Sequence, residues 1–321
     1  MFRPRLREPL FDISVAPLLA DAWKYSVDRV QEIESTIGDC LPRCVACAAV
    51  SGSLARMEAH SSSDIDLVIV IDDRRNRISD DEASEIFDSA WKRLDVPGAV
   101  RPKAGGIFSQ CARWTELVNP AAKGCIDESI NTFGHRIQLL MDAQPITSAD
   151  RFSDLQKEIL HWYSETHLTS MFDESGPFHW LWQDVQRYWR SLRSRTYWLN
   201  ADDRSRSVTL NVKLRSSRLM LVFAFLLTLQ EQQTTKRSLT VTIDDLERSL
   251  RLTPAERLFG TADAGGLKAW ETVWHFLVDA AREPTSDLPE AVARSLSVLA
   301  QSIEQQMTVT GNAKQNRHWW M

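Results

Sequence analysis

The fold of this chain is decided by the stretch Val50-Ser51-Gly52-Ser53-Leu54 and its continuation, Ser63-Asp64-Ile65-Asp66-Leu67-Val68. The apolar residues at 44–50 are typical of a short buried strand, and this strand ends in Gly-Ser. Ten residues separate Ser53 from Asp64, and a second apolar strand is predicted over 65–71. The stretch therefore predicts two strands with a Gly-Ser turn after the first of them.

Asp64 and Asp66 are two residues apart at the start of the second predicted strand, so their side chains project from the same face. Two carboxylates a few ångströms apart repel each other unless a cation lies between them. Mg²⁺ prefers oxygen ligands and often shares them with substrate phosphates. Gly52 lets the backbone approach a phosphate closely, and the Ser53 hydroxyl can donate to its oxygens. The four residues predict a site for a divalent cation and a phosphate.

The order of a strand, Gly-Ser, ten residues and Asp-apolar-Asp-apolar resembles the nucleotidyltransferase superfamily that includes DNA polymerase β, poly(A) polymerases and antibiotic nucleotidyltransferases. The motif covers residues 45–71. The resemblance implies an enzyme that uses Mg²⁺ or Mn²⁺ to move a nucleoside monophosphate from an NTP, such as ATP, to an acceptor hydroxyl with release of pyrophosphate. It assigns Asp64 and Asp66 to the metal ions, and Gly52 and Ser53 to the β and γ phosphates.

Two departures from the superfamily pattern bear on the site. Many relatives have a second glycine four residues after the serine, where this chain has Met57, and a more helical turn is expected here. Relatives usually also supply a third carboxylate from a following strand, but the segment 99–110, where a short strand is predicted, contains no Asp or Glu. Its place is taken either by one of Asp95, Glu116, Asp127 and Asp142 or by no acid.

A finer resemblance concerns the segments Arg101-Pro102-Lys103-Ala104-Gly105-Gly106-Ile107-Phe108 and His135-Arg136-Ile137-Gln138-Leu139-Leu140-Met141-Asp142. Both are similar to the bacterial signal-protein uridylyltransferase branch. In that branch the strand after the paired aspartates also lacks the usual carboxylate, so its absence here is compatible with an active enzyme. The hydrolase and regulatory domains of that branch are not expected in this chain, so its acceptor protein is not carried over.

The acceptor therefore stays open among a protein side chain, the 3′ end of an RNA such as a tRNA, a small molecule such as an aminoglycoside, and a second nucleotide. The alternative function is a non-catalytic nucleotide-sensing or partner-binding module on a decayed nucleotidyltransferase fold. The missing acid at 99–110 motivates this alternative, whereas the retained Gly-Ser and Asp-Ile-Asp argue against it.

Strand patterns nearly vanish after residue 150. The expected fold is an α/β (α+β) nucleotidyltransferase domain with a small mixed sheet over 1–148, an all-helical domain over 149–310 and a tail over 311–321. Helices in the second part are predicted at 150–170, 178–200, 205–232, 254–260, 266–282 and 288–307, and 233–240 is predicted to be a connection.

The charge of the chain is unevenly distributed. The formal net charge is −5, which argues against long, nonspecific DNA binding. Residues 187–218 nevertheless carry nine basic and two acidic residues, a net charge of +7 that leaves −12 for the rest. Such a patch favours one anionic partner, either the triphosphate of an NTP or the acceptor. Superfamily relatives with a helical second domain often use a lysine there, which suggests Lys213 as a phosphate-binding residue.

The apolar content favours neither a membrane protein nor a secreted one. The longest apolar run, Leu219 to Leu227, is shorter than the roughly 20 residues of a membrane-spanning helix, which predicts a buried helix. The five cysteines are an odd number, and the N-terminus has no apolar stretch of signal-peptide length. We therefore expect a cytoplasmic protein without a disulfide framework or a membrane partner.

Overall fold

The computed structural model describes residues 8–125, 127–164, 177–198, 203–234, 238–260 and 263–309. Among these, residues 22–164 form a first compact unit, and residues 8–21 with 177–309 form a second. The first unit includes residues 149–164, which the sequence analysis assigned to the helical domain, because this segment packs on the sheet. The division at 148 stays a prediction, and the predicted tail at 311–321 lies outside the described residues.

The first unit alternates strands and helices along the chain. Its elements, of which α1 begins before residue 22, are α1 (Pro17–Ile37), β1 (Val45–Ser51), α2 (Gly52–Ala55), β2 (Asp66–Ile71), α3 (Asp80–Arg93), β3 (Ala112–Arg113), α4 (Trp114–Leu117), α5 (Ile130–Met141), β4 (Ala143–Pro145) and α6 (Ala149–Ser164). The two predicted strands are thus confirmed as β1, displaced by one residue, and β2, which begins one residue later than predicted.

The strands form a small mixed sheet in the order β3-β2-β1-β4. β1 is antiparallel to both β2 and β4, whereas β2 and β3 are parallel. In this register Ser51 lies opposite Asp66 on one side and Ala143 on the other. The end of β1, the start of β2 and the start of β4 therefore meet at one edge of the sheet.

Both central strands are buried along nearly their whole length. This burial explains their continuous apolar sequence, because a strand covered on both faces needs apolar side chains on both. One core cluster joins Val30 and Ile33 of α1 to Leu67 and Ile69 of β2 and Phe87 of α3. Helix α6 packs on β1.

The prediction of a strand within 99–110 is wrong. Residues 107–109 form a single 3-10 turn, and β3 comes later, at Ala112–Arg113. Gly98 and Gly105 both have positive φ, at 85° and 86°, and such backbone interrupts a strand. The third strand of the sheet in chain order therefore contributes no acid at this edge.

The second unit is helical in its described residues, as predicted. Its helices are α7 (His179–Trp198), α8 (Arg204–Arg215), α9 (Ser217–Thr234), α10 (Leu239–Leu250), α11 (Pro254–Phe259), α12 (Ala264–Arg282) and α13 (Glu290–Val309). The apolar run at Leu219 is buried within α9, also as predicted. In the described part of the chain, no helix is long and apolar enough to cross a membrane.

The helices of this unit differ from the sequence prediction in two places. The helix predicted over 205–232 is interrupted at Ser216, which has φ −128° and ψ −100° and donates its hydroxyl to the Val212 carbonyl at 2.6 Å. Such back-bonding by serine competes with the helical ladder. Helix α10 was not predicted. It begins after Ser238, whose hydroxyl accepts from the Val241 N–H.

Candidate functional site

Gly52 forms the sharp turn between β1 and the one-turn helix α2. Its φ is +68°, a conformation that residues with a Cβ rarely adopt. A Cβ at this position would lie 2.5 Å from Asp66 Oδ2, far inside van der Waals contact. The glycine is therefore required twice, once for the backbone conformation and once for the approach of the Asp66 carboxylate.

The two aspartates of the motif differ in their surroundings. Asp66 is the first residue of β2 and is partly buried, whereas Asp64 precedes the strand and is exposed. Ile65 and Leu67 are buried in the core. Burial raises the pKa of Asp66 to about 6, the Arg56 charge opposes this rise, and the charge of Asp64 adds to it. The two carboxylates are thus close enough to repel each other.

A third carboxylate joins this edge from a distant part of the sequence. Asp142 ends α5 and directly precedes β4, whose pairing with β1 brings it beside the Gly52 turn. The side chain is buried, and burial raises its pKa to about 7. Arg56 opposes the rise, whereas the charges of Glu58 and Asp66 add to it. Asp142 therefore belongs to the same electrostatic cluster as Asp66.

Arg56 connects the acids of this cluster. Its Nη1 donates to Asp142 Oδ2 at 2.7 Å, and its Nε donates to Glu58 Oε2 at 2.9 Å. Glu58 is buried, and burial raises its pKa although Arg56 lowers it. Arg56 thereby holds two buried carboxyl groups in fixed positions next to Asp66.

Sequence reasoning missed Arg56 and Glu58. The signal was present, because these two charged residues alternate with Ala55, Met57 and Ala59 in one short segment. All three apolar neighbours are buried, which places the charged side chains at the edge of the core. Alternation of charge and core residues directly after a Gly-Ser turn could have indicated an internal ion pair.

Met57 corrects the expectation of a more helical turn. Helix α2 ends at Ala55, and Met57 has φ +59°, in the left-handed region that favours glycine. Many superfamily relatives have a glycine at this place, so the backbone here keeps the shape that a glycine would allow. The Met57 side chain is buried and packs in the core, which offsets the strain.

The predicted site residues fall into two groups. Gly52, Ser53, Asp64 and Asp66 lie together at the sheet edge of the first unit, and within the described residues the Ser53 hydroxyl makes no hydrogen bond. Lys213 lies on α8 in the second unit and is exposed, and its part in the site stays a prediction.

None of the three candidate acids other than Asp142 acts on Asp66 through its charge. Asp95 follows α3 and is exposed, Glu116 accepts from Thr132 Oγ1 at 3.2 Å within the α4 region, and Asp127 is exposed. Asp142 is the candidate whose charge is coupled to Asp66.

The donor set fits a magnesium ion. Mg²⁺ is usually bound by one or two carboxylates together with substrate phosphates rather than by an all-protein cage. In the described part of the chain no group of three or more His, Cys, Asp or Glu has the geometry of a metal cage. Asp66 Oδ2 lies against the Gly52 turn, in the space that a Cβ would need, so this carboxylate stands beside the predicted phosphate-binding turn. Asp64 and Asp66 could therefore hold the ion, with further oxygens supplied by a nucleotide.

We expect Gly52→Ala to destabilise the protein because the added Cβ meets the Asp66 carboxylate and the positive φ becomes strained. Gly105→Ala is the matched control, since Gly105 also has positive φ but has no atom within 4 Å of the added Cβ. The control should cost about 1 kcal/mol, and Gly52→Ala about 1–3 kcal/mol more. Urea denaturation measures both. Equal losses of unfolding free energy in the two variants would contradict a close contact between the added Cβ and the Asp66 carboxylate.

The raised pKa values predict a pH dependence of stability in the absence of metal. Asp66 has a pKa of about 6 in the folded chain and about 4 when unfolded, so the folded state binds the proton more tightly. The stabilisation that protonated Asp66 gives the folded state is complete below about pH 4 and is lost as the pH rises through 6. The free energy of unfolding of Asp66→Asn, relative to that of the wild type, should therefore rise by about 2 kcal/mol between pH 4 and 7. Denaturation of both proteins across this range measures the difference, with the exposed Glu85→Gln as control. Parallel curves for wild type and Asp66→Asn would contradict the burial of Asp66.

Comparison with known proteins supports the superfamily resemblance. Residues 15–120 match the family model described as "Putative nucleotidyltransferase DUF294". No curated protein and no solved structure matches the chain. The match contains Gly52, Ser53, Asp64 and Asp66, while Asp142 lies beyond it. The resemblance to the nucleotidyltransferase superfamily is thus confirmed over residues 15–120, and the uridylyltransferase branch is not.

Proposed function

We propose that this protein is a nucleotidyltransferase that moves a nucleoside monophosphate from an NTP to an acceptor hydroxyl. The observation that carries the proposal is the pair Asp64 and Asp66, with Asp66 against the Gly52 turn, inside the segment that matches a nucleotidyltransferase family. The acceptor stays open among a protein side chain, an RNA 3′ end, a small molecule and a second nucleotide. The five free cysteines suit a reducing compartment, in line with a cytoplasmic enzyme.

Magnesium or manganese would be held by Asp64 and Asp66. When bound, it would neutralise phosphate charge and make the attacking oxygen a better nucleophile. The number of carboxyl groups supports this assignment, because Arg56 is hydrogen-bonded to Glu58 and Asp142, while Asp66 feels its charge at a distance and is also repelled by Asp64. A second positive charge at this edge would relieve their repulsion.

The remaining residues would position the nucleotide and the acceptor. The Ser53 hydroxyl would donate to a phosphate oxygen, and Gly52 would let the backbone lie close to it. The acceptor oxygen forms a bond to the α phosphorus as the bond to the β,γ-diphosphate breaks, and pyrophosphate leaves. We assign Asp142 as the third carboxylate, because the pairing of β4 with β1 places it beside the Gly52 turn, where its charge is coupled to that of Asp66. The raised pKa suits a group that takes the acceptor proton near neutral pH. Arg56 would be its positioning residue.

Label transfer tests the proposal. Wild-type protein incubated with Mg²⁺, each α-labelled NTP and cell extract should label a protein, an RNA or a metabolite, and Asp64→Ala/Asp66→Ala should abolish the labelling. Asp80→Ala/Asp81→Ala, which removes two exposed acids from α3, should transfer label like the wild type.

The outcome also separates the two functions that the sequence left open. If wild-type protein binds labelled NTP but transfers no label to any component, the enzyme proposal is wrong and the nucleotide-sensing module is supported. If label is transferred, the labelled band or metabolite identifies the acceptor.

Lys213 is proposed to assist by contacting the phosphates of the same NTP. Lys213→Ala should then weaken NTP binding in the presence of Mg²⁺ by about tenfold, the loss expected for a hydrogen bond to a charged group. Arg204→Ala, an exposed residue of the same helix, should leave the affinity unchanged. Equilibrium dialysis with labelled NTP measures both variants. Wild-type affinity in Lys213→Ala would remove this lysine from the site.

A further inference from the structure

The end of α7 and the start of α8 carry exposed aromatic and basic side chains. Trp198 is 88% exposed and Tyr197 is 62% exposed. Arg195 lies just before them, and Arg204 and Arg206 open the next helix, all three exposed. We call these five residues the basic–aromatic surface. A single exposed apolar residue is ordinary, but two adjacent large aromatic rings among arginines are not required by folding.

The charge of this surface is not balanced locally. The described residues 187–198 and 203–218 carry nine basic side chains and one acidic one, Asp203, and Arg187 lies 3.7 Å from Asp184. Arg195, Arg204 and Arg206 form no ion pair within the described part of the chain. Asp203 is the N-cap of α8, where its carboxylate accepts from the Arg206 N–H at 3.0 Å, and its single negative charge offsets one of the nine positive ones. A strong positive potential therefore remains at the surface.

The helix geometry keeps the aromatic residues out of the core. Helix α7 packs on α8 and α9, and its buried side includes Leu181, Val185 and Thr196. At 100° per residue, Trp198 instead shares the exposed side with Arg187, Arg190 and Ser194. Arg187, Arg190 and Trp198 thus lie along about 15 Å of one solvent-facing side of α7.

We propose that the basic–aromatic surface binds a short segment of single-stranded nucleic acid. Single strands are held by arginines along the phosphates and by aromatic rings on which the bases stack. A duplex keeps its bases inside the stack, and an acidic peptide would use the arginines but not the rings. The net charge of −5 confines the contact to this patch, which suits a short segment rather than a long tract. The proposal concerns binding alone and does not depend on nucleotidyl transfer.

Fluorescence anisotropy of a labelled 12-nucleotide oligouridine with the full chain, without NTP, tests the proposal. Wild-type protein should bind at about 50 mM salt, with an affinity that falls as salt rises. Tyr197→Ala/Trp198→Ala should weaken binding at least tenfold, whereas Tyr197→Phe/Trp198→Phe should retain most of it. The triple variant Arg195→Gln/Arg204→Gln/Arg206→Gln should reduce the steepness of the plot of log binding constant against log salt concentration by about two.

Arg294→Gln is the control for charge, because Arg294 is an exposed arginine of α13 in the same unit. It should bind like the wild type. The proposal is overturned if the oligonucleotide does not bind at low salt, or if the double alanine variant binds as the wild type does. It is equally overturned if a duplex of the same length, polyglutamate or anionic lipid vesicles bind as tightly as the single strand.

Discussion

The approach of the Asp66 carboxylate to Gly52 is the constraint on which the rest of the site depends. The two residues are brought together by the pairing of Ser51 with Asp66 in the antiparallel strands β1 and β2. A side chain at position 52 would lie within 2.5 Å of Asp66 Oδ2. A shift of one residue in the register would turn Asp66 to the other face of the sheet, so the apolar pattern that sets the core also sets the site.

Around this contact the protein concentrates more negative charge than it neutralises. Asp66, Asp142 and Glu58 all have raised pKa values, and burial is the leading cause for each. Arg56 compensates two of them through direct hydrogen bonds. Buried acids with one cation among them reduce stability near neutral pH. Such an arrangement is typical of a functional site.

The sequence predicted the local parts of this arrangement well and its distant parts poorly. The β1 and β2 strands and the Gly52 turn follow from apolar runs and a glycine, which act within a few residues. Asp142 could be named but not ranked, because its place depends on β4 pairing with β1, some 90 residues away. The sequence did not indicate a role for Arg56 and Glu58, because the fold brings Arg56 to Asp142, which is distant in the chain. The break at Ser216 and helix α10 were missed for a different reason, since a serine or a mixed polar segment only weakly signals a helix boundary.

The most direct test of the account is the position of a metal ion in crystals grown with Mn²⁺ and a non-hydrolysable NTP analogue. Anomalous scattering from manganese would locate the ion independently of any activity. We expect a peak about 2.1 Å from carboxylate oxygens of both Asp64 and Asp66, beside the Gly52 turn. A nucleotide bound elsewhere, or manganese that contacts neither aspartate, would contradict it.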